Sequence, residues 1–366
     1  MKLTRTTEFL KNKIIELKLP YFSCIIKKDG QIIFDYCHEE NDKGNDLLLM
    51  YSMSKPITAI ALMQLVEKGL VNLDDKVSKY LPNFENLNNI TTNQKIFRDV
   101  KIWNLLSMTS GLDYDFSRKS VQDLLKKNSL ANTVEICSCL AKDGLLFNPG
   151  ERFQYSLSMD VIAAIIEVVT KKQFSLYVKE NIFDKLGMNK SSFKQDLNLV
   201  NKCRKEYCPS NDLSNLIPKD YLYKNFFPSK NYESGGAGLI STINDYSLFA
   251  DSLANRENII IKDDTVNDLA KIWISETPFN ESVKEYSKSS KDYGYGLGVR
   301  VRKSNSIEGI PQGEFGWDGA AGCYFLVDRK NHISIVMGLT ISSWPLYLND
   351  FHIALVKNIY TDIFKK

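Results

Sequence analysis

A serine and a lysine three positions apart, Ser52 and Lys55, are the side chains best suited to chemistry in this sequence. Residues three apart lie on one face of a helical turn, so the lysine amine can reach the serine hydroxyl. A serine hydroxyl is a poor nucleophile until a neighbouring base takes its proton, and Ser-x-x-Lys supplies that base within one element. The pair therefore indicates acyl transfer through serine without histidine.

The sequence around the pair matters, because the same spacing recurs in a polar stretch at 191–194. Ser52, by contrast, precedes an apolar segment, 57–69, that has Pro56 near its first turn and Gly69 as its stop. We expect Ser52 at the N-terminus of a buried helix, where backbone N–H groups and the helix dipole favour a developing oxyanion. The alternative is that Ser52 only caps the helix, because serine is a preferred capping residue.

The composition describes an ordinary globular protein. Its 366 residues can form two domains or one large domain with an insertion. The chain is 43% hydrophobic and 25% charged with a net charge of +3, so it lacks the basic surplus that nucleic-acid binding requires. Residues 1–13 contain no apolar signal region, and no run approaches a membrane span of about 18 residues. These features predict no nucleic-acid or membrane partner and a cytoplasmic location.

Metal and cofactor chemistry lack their usual signatures. The seven cysteines are odd in number and form no C-x-x-C pair, which favours reduced thiols over disulfides or a zinc site. Three histidines, His38, His332 and His352, show no ligand spacing, and no G-x-S-x-G elbow is present. We therefore expect no metal and no cofactor, and a serine hydrolase here would need a base other than histidine.

The secondary-structure signals put strands at both ends of the chain and helices between them. Asp29-Gly30 between two apolar runs predicts a hairpin. The remaining strands are predicted at 296–301, 322–327 and 333–339, and the last helix at 349–364. Residues 201–234 are irregular and aromatic and are predicted to form a pocket wall.

This order predicts an α/β fold of the α+β type, an antiparallel sheet flanked by helices with an inserted, mainly helical domain. We assign residues 1–72 and 225–366 to the sheet domain and 73–224 to the helical domain. A cleft between such domains is a favoured ligand site.

Seven short motifs follow one another along nearly the whole chain. They are 52–55, 73–82, 105–112, 149–156, 234–242, 293–298 and 316–322. In this order they resemble the serine β-lactamase and penicillin-binding-protein-like superfamily, especially its class C β-lactamase and family VIII esterase branch. The resemblance implies a β-lactamase/DD-peptidase-like fold and hydrolysis of a small ester or amide through an acyl-serine intermediate.

The resemblance also implies roles for three side chains. Ser52 is the nucleophile, Lys55 assists its deprotonation, and Tyr155 is the general base and then the proton donor to the leaving group. A nearby ammonium favours a phenolate, so Tyr155 and Lys55 should titrate as a coupled pair. A buried structural tyrosine is the alternative for Tyr155.

The third family motif corresponds to Trp317, Asp318 and Gly319, expected on an edge strand beside the nucleophile. Gly319 would let the strand approach closely, and the backbone N–H groups of Ala320 and Ser52 would form the oxyanion hole. A glycine-rich turn without function is the alternative for this segment.

Two departures from the family pattern bear on the substrate. Trp317 stands where the β-lactamases carry a cation or histidine, and Asp318 beside it would repel an anion if it pointed inward. Leu157 stands where they carry asparagine. Both changes favour an apolar site and ester substrates.

The sequence thus predicts a carboxylesterase acting on small esters. A β-lactamase, a D-amino-acid peptidase or a transacylase is the alternative within the same chemistry. A non-catalytic ligand-binding homologue and a coincidence of motifs on another α/β fold are alternatives of a different kind. The oligomeric state is left open.

Overall fold

The computed structural model describes residues 2–38, 44–255, 259–274, 292–342, 347–348 and 350–364. The α-helices are α1 Thr4–Glu16, α2 Ser54–Glu67, α3 Ile102–Leu106, α4 Lys119–Lys127, α5 Thr133–Leu140, α6 Ser158–Thr170, α7 Phe174–Val178, α8 Asp184–Leu186, α9 Leu197–Val200, α10 Ile243–Ala254, α11 Asp263–Leu269 and α12 Phe351–Phe364. The strands are β1 Ser23–Lys28, β2 Gln31–Cys37, β3 Leu48–Leu49, β4 Glu206–Pro209, β5 Leu216–Lys219, β6 Ile240–Ser241, β7 Tyr293–Tyr295, β8 Arg300–Arg302, β9 Phe315–Asp318, β10 Tyr324–Asp328 and β11 Ile333–Gly338.

Seven strands form one antiparallel sheet in the order β2-β1-β11-β10-β9-β8-β7. The predicted Asp29-Gly30 hairpin joins β1 to β2, and both turn residues have positive φ, 51° and 74°, as a tight two-residue hairpin requires. Because β1 pairs with β11, the sheet is built from the two ends of the chain. The predicted fold class is confirmed.

Helices cover both faces of the sheet. Alternate residues of each strand point to opposite faces, and the two faces contribute to two separate apolar clusters. α1 and α12 pack together over one face, and α10 packs on β1, β10 and β11 from the other. Among the described residues, no helix is long and apolar enough to cross a membrane.

Helix α2 carries the predicted nucleophile region into the core. All residues from Ser54 to Leu65 are buried, as expected for a helix that is apolar on every side. A single 3₁₀ turn, Tyr51–Met53, precedes the helix, and Gly69 follows it with a φ of 68°. Lys55, the second residue of α2, is therefore placed in an apolar environment by the pattern of its own helix.

Two strand predictions were wrong. Only Arg300 and Val301 of the run predicted as one strand at 296–301 lie in β8. Residues 296–299 form the reversal between β7 and β8, where the Gly296 N–H donates to the Val299 carbonyl at 2.8 Å. The motif strand β9 lies between β10 and β8 rather than at the sheet edge. Its pairs with β8 stop at Gly316, so the residues that follow run past the shorter neighbouring strand.

The predicted domain division stays a prediction. Residues 73–224 are mainly helical, as expected, but the segment described above as irregular contains the hairpin β4–β5. α12 begins at Phe351, and Asn349, its predicted first residue, lies outside the described residues.

Candidate active site

Three side chains meet at the nucleophile turn. The Lys55 amine lies 3.0 Å from Ser52 Oγ, and the Tyr155 hydroxyl donates to the same Oγ at 2.7 Å. Ser52 and Lys55 come from the start of α2, and Tyr155 comes from the chain just before α6. The structure therefore brings a hydroxyl, an amine and a phenol together across 103 residues of sequence.

Lys55 is completely buried, with 0% of its surface exposed. Its amine donates to the Gly236 carbonyl at 2.7 Å, and it lies 4.6 Å from the ring centroid of Tyr155 and 5.5 Å from that of Tyr114. Burial lowers the Lys55 pKa from 10.5 to about 7, against the opposing charge of Asp160. The amine can therefore exist without its proton near neutral pH, as a general base must.

Tyr155 has the opposite protonation tendency. Its ring stacks between those of Tyr114 and Trp317, with centroids 5.8 and 5.9 Å away, and the Trp317 indole N–H donates to its hydroxyl at 3.4 Å. Burial raises the Tyr155 pKa well above its usual value, and hydrogen bonds to Ser52 and Trp317 oppose the shift only in part. The expectation that the lysine would favour a phenolate is not met, because desolvation outweighs it. The group that keeps its proton at neutral pH is the phenol.

The end of β9 approaches the nucleophile turn at Gly319. A Cβ at this position would lie 2.6 Å from the Met50 carbonyl oxygen, so only glycine permits the approach. Among the described residues, no acceptor takes the N–H of the next residue, Ala320. The Ala320 N–H therefore follows directly on the close contact with the nucleophile turn, and its role in an oxyanion hole stays a prediction.

The turn that carries Ala320, residues 319–322, is fixed from several sides. The Gly322 N–H donates to the Gly319 carbonyl at 2.9 Å, and the Ile341 N–H donates to the Ala321 carbonyl at 2.8 Å. The side chain of His352 on α12 donates through Nε2 to the Gly322 carbonyl at 2.8 Å. Burial lowers the His352 pKa to about 4, which keeps the ring neutral at physiological pH.

Of the residues predicted to bind substrate, Trp317 contacts the catalytic group, whereas Asp318 and Leu157 have other partners. Trp317 lies at the site, where its ring stacks on Tyr155 and its indole N–H donates to the Tyr155 hydroxyl. Asp318, the next residue in the strand, points to the opposite face, where it pairs with Arg300 at 2.9 Å. Leu157 is only 1% exposed and lies in the main apolar cluster. The charge of Asp318 is therefore paired with Arg300, and it also contributes to raising the pKa of Tyr155. Leu157 offers almost no surface to a substrate.

The aromatic wall extends beyond the predicted residues. Phe226, from the segment predicted to line a pocket, lies edge-on to the Tyr114 ring with centroids 5.9 Å apart. Tyr114 and Phe226 were not singled out in the sequence, because one aromatic residue among 37 phenylalanines and tyrosines carries no local signal.

Sequence reasoning also missed a carboxylate behind Lys55. Asp160, in the first turn of α6, is 0% exposed and accepts hydrogen bonds from Tyr232 and Ser234 at 2.8 and 2.6 Å. An acidic residue inside the otherwise apolar run 159–166 was the available signal, since aspartate is almost never fully buried without partners. Within the described ranges, no group of three or more His, Cys, Asp or Glu side chains could hold a metal ion.

Comparison with known proteins places these features in a family. The family model described as Beta-lactamase matches residues 23–354. The Staphylococcus aureus (strain N315) protein named Protein flp is 30% identical over 210 residues, which is 54% of this chain and 40% of that protein. The matched region thus spans about two fifths of the length of this relative.

Two solved structures share the fold over nearly the whole chain. EstCE1, described as a hydrolase with promiscuous acyltransferase activity, has a TM-score of 0.77 at 21% identity, with 97% of each chain covered. A mutant of simvastatin synthase from Aspergillus terreus has a TM-score of 0.79 at 17% identity, covering 99% of this chain and 95% of that one. At these identities the likeness concerns the fold.

Proposed function

Because the chain belongs to the beta-lactamase family, whose members are serine hydrolases, we propose that it hydrolyses small carboxylic esters through an acyl-serine intermediate on Ser52. One observation carries the proposal: Ser52 Oγ lies within hydrogen-bonding distance of both an amine and a phenol. Burial gives those two groups opposite tendencies, toward losing a proton in Lys55 and toward keeping one in Tyr155.

In acylation, neutral Lys55 takes the Ser52 proton while Oγ attacks the ester carbonyl. The Gly236 carbonyl, 2.7 Å from the amine, accepts one lysine N–H and so directs the lone pair toward the serine. As the tetrahedral intermediate collapses, Tyr155 gives its proton to the departing alkoxide and is reprotonated by the Lys55 ammonium. The family resemblance assigns the base role to Tyr155; the directions of the two pKa shifts favour Lys55 as the base and leave Tyr155 as the proton donor.

The backbone N–H groups of Ser52 and Ala320 hold the developing oxyanion in acylation and again in deacylation. Each such donor is typically worth about 3 kcal/mol of transition-state stabilisation. In deacylation, water gives a proton to neutral Lys55 as it attacks the acyl group, and the Lys55 and Tyr155 relay returns that proton to Ser52 Oγ as the tetrahedral intermediate expels it. The products are a carboxylic acid and the freed Ser52, so the net reaction is ester plus water giving acid plus alcohol.

The preference for esters is supported by the surroundings of Ser52. The indole of Trp317 and the rings of Tyr114 and Phe226 form an apolar wall beside Tyr155. The nearby carboxylate of Asp318 is directed away toward Arg300. Such a wall suits an uncharged acyl or alcohol group. EstCE1, which shares the fold, is a hydrolase with promiscuous acyltransferase activity, and this supports acyl transfer as the class of reaction proposed here.

The experiment is a panel of p-nitrophenyl esters of increasing acyl length, nitrocefin and D-amino-acid p-nitroanilides, tested on wild type, Ser52→Ala and Ser191→Ala. Ser191 is the matched control, because it begins the other Ser-x-x-Lys copy but bonds to Ser241 and Asp245 instead. We expect ester turnover that falls at least 1,000-fold in Ser52→Ala and persists in Ser191→Ala.

Each part of the proposal can fail separately. Full turnover in Ser52→Ala would refute Ser52 as the nucleophile. Faster turnover of nitrocefin or of the anilides than of every ester would refute the ester preference and leave the serine chemistry standing. A fluorophosphonate probe that leaves the folded wild type unlabelled would favour the non-catalytic homologue.

A further inference from the structure

Asp160 holds a glycine-rich turn, residues 234–238, against helix α6. Its Oδ1 accepts from Ser234 Oγ at 2.6 Å and from the Tyr232 hydroxyl at 2.8 Å. Ser234 Oγ in turn accepts from the Ala237 N–H at 3.0 Å. One buried oxygen therefore fixes both the entry and the interior of this turn.

The same turn positions Lys55. Its Gly236 carbonyl accepts from the lysine amine at 2.7 Å. Gly236 also lies against the other carboxylate oxygen of Asp160: a Cβ there would come within 2.6 Å of Oδ2. A single residue of the turn thus touches the base on one side and the carboxylate on the other.

The polar groups around Lys55 are otherwise neutral. Tyr155 and Tyr114 present ring faces to the amine, and burial raises the pKa of both phenols. Among the described residues, Asp160 is the charged group that acts on the Lys55 pKa, and it raises that pKa. Tyr232 and Cys137, which also face Asp160, stay protonated because burial raises their pKa values.

We propose that Asp160 is a positioning residue for Lys55. Its carboxylate holds the 234–238 turn so that the Gly236 carbonyl orients the amine, and its negative charge sets the fraction of Lys55 that is protonated at a given pH. Asp160 itself touches neither Ser52 nor the substrate. The inference rests on the proposed role of Lys55 as the base, and it makes the 234–242 motif part of the catalytic arrangement.

The test compares Asp160→Asn with wild type in pH profiles of kcat/KM for the best ester. Asparagine keeps the shape and the Oδ1 acceptor but removes the charge, so Lys55 loses its proton more easily. We expect the acid limb of the profile to move to lower pH by about one unit. An NMR titration of 13Cε-labelled lysine, with the Lys55 signal assigned through Lys55→Arg, should move by the same amount.

The matched control is Asp328→Asn on β10. Asp328 is likewise 0% exposed and accepts from a buried tyrosine, Tyr360, at 2.7 Å, and its other side-chain hydrogen bonds among the described residues come from Asn331, away from Ser52 and Lys55 in the sheet. Its variant should leave the acid limb in place. Ser234→Ala is the second variant if Asp160→Asn does not fold, because it keeps the charge and removes one hydrogen bond from Oδ1. Because the charge is kept, the acid limb should stay in place, whereas the loosened 234–238 turn should lower kcat.

The outcomes separate this inference from the proposed function. Absence of Ser52-dependent turnover in wild type would defeat the proposed function itself. Ser52-dependent turnover with an unmoved acid limb in Asp160→Asn, or with wild-type kcat in Ser234→Ala, would overturn the role of Asp160 alone. An equal shift in Asp328→Asn would also overturn it, because any lost carboxylate would then have the same effect.

Discussion

Replacing Lys55 with methionine should change how the stability of the protein depends on pH. Lys55 is 0% exposed, and burial lowers its pKa from 10.5 to about 7. In the unfolded chain the amine has its ordinary pKa of about 10.4. Between these values the unfolded state holds a proton that the folded state lacks, so the free energy of unfolding rises with pH.

The magnitude follows from the two pKa values. One extra proton in the unfolded state contributes a slope of about 1.4 kcal/mol per pH unit. Half of Lys55 is still protonated at its folded pKa, so the gain between pH 7 and pH 9 is about 2 kcal/mol. Methionine fills much of the same volume and does not titrate. The free energy of unfolding of Lys55→Met, relative to wild type, should therefore fall by about 2 kcal/mol over this interval.

Urea unfolding followed by tryptophan fluorescence at pH 7, 8 and 9, under reducing conditions, measures this difference without knowledge of the substrate. The control is Lys76→Met, because Lys76 is exposed and its pKa is raised by its partner Asp99. That lysine is protonated in both states from pH 7 to 9, and its variant should run parallel to wild type. Parallel curves for Lys55→Met as well would mean that the folded protein holds Lys55 as an ammonium, which would refute its role as the base.

Three further variants test the other groups of the site. Tyr155→Phe should lower kcat by roughly 100- to 10,000-fold for alkyl esters. It should lower kcat less for p-nitrophenyl esters, because their leaving group needs no proton. A series of esters with different leaving groups measures this difference. Equal losses of kcat for alkyl and p-nitrophenyl esters would contradict the role of Tyr155 as proton donor. Gly319→Ala should lower kcat about 100-fold or more, because its Cβ would meet the Met50 carbonyl at 2.6 Å; wild-type kinetics would contradict the close approach. In His352→Leu the Gly322 carbonyl loses its side-chain donor. We therefore expect kcat and the affinity for boronic-acid inhibitors to fall together while KM is unchanged. If only the thermal stability changed, His352 would have a purely structural role.

The local parts of the site could be read from the sequence. Ser52 and Lys55 are three residues apart and on one element, so helical geometry alone brings them together. The hairpin at Asp29-Gly30 is also local, because two residues with positive φ determine it. The fold class followed from the order of such elements, whereas strand ends such as those of β7 and β8 depend on pairing partners that the sequence does not specify.

The nonlocal parts could not be read in this way. Asp160 accepts hydrogen bonds from Tyr232 and Ser234, which are 72 and 74 residues away in the sequence. Neither segment contains a pattern that predicts contact with the other. The pairing of Asp318 with Arg300 could not be predicted, because it depends on which face of β9 the side chain occupies. That choice is fixed by Trp317, which takes the inner face and leaves Asp318 to Arg300 on the outer one.

The direction of the tyrosine pKa shows why a motif does not by itself assign protons. A nearby lysine favours a phenolate only while that lysine keeps its charge, and the burial that surrounds both groups disfavours the charged form of each. Around Ser52 the same apolar packing that lowers the pKa of Lys55 raises that of Tyr155, so the neutral amine and the neutral phenol are stabilised together. An uncharged pair that can pass a proton through Ser52 Oγ is what an acyl transfer at neutral pH needs, and the closed packing of α2 maintains it. Water admitted to this cluster should therefore return the proton to the amine and slow acylation, even where every hydrogen bond to Ser52 is kept.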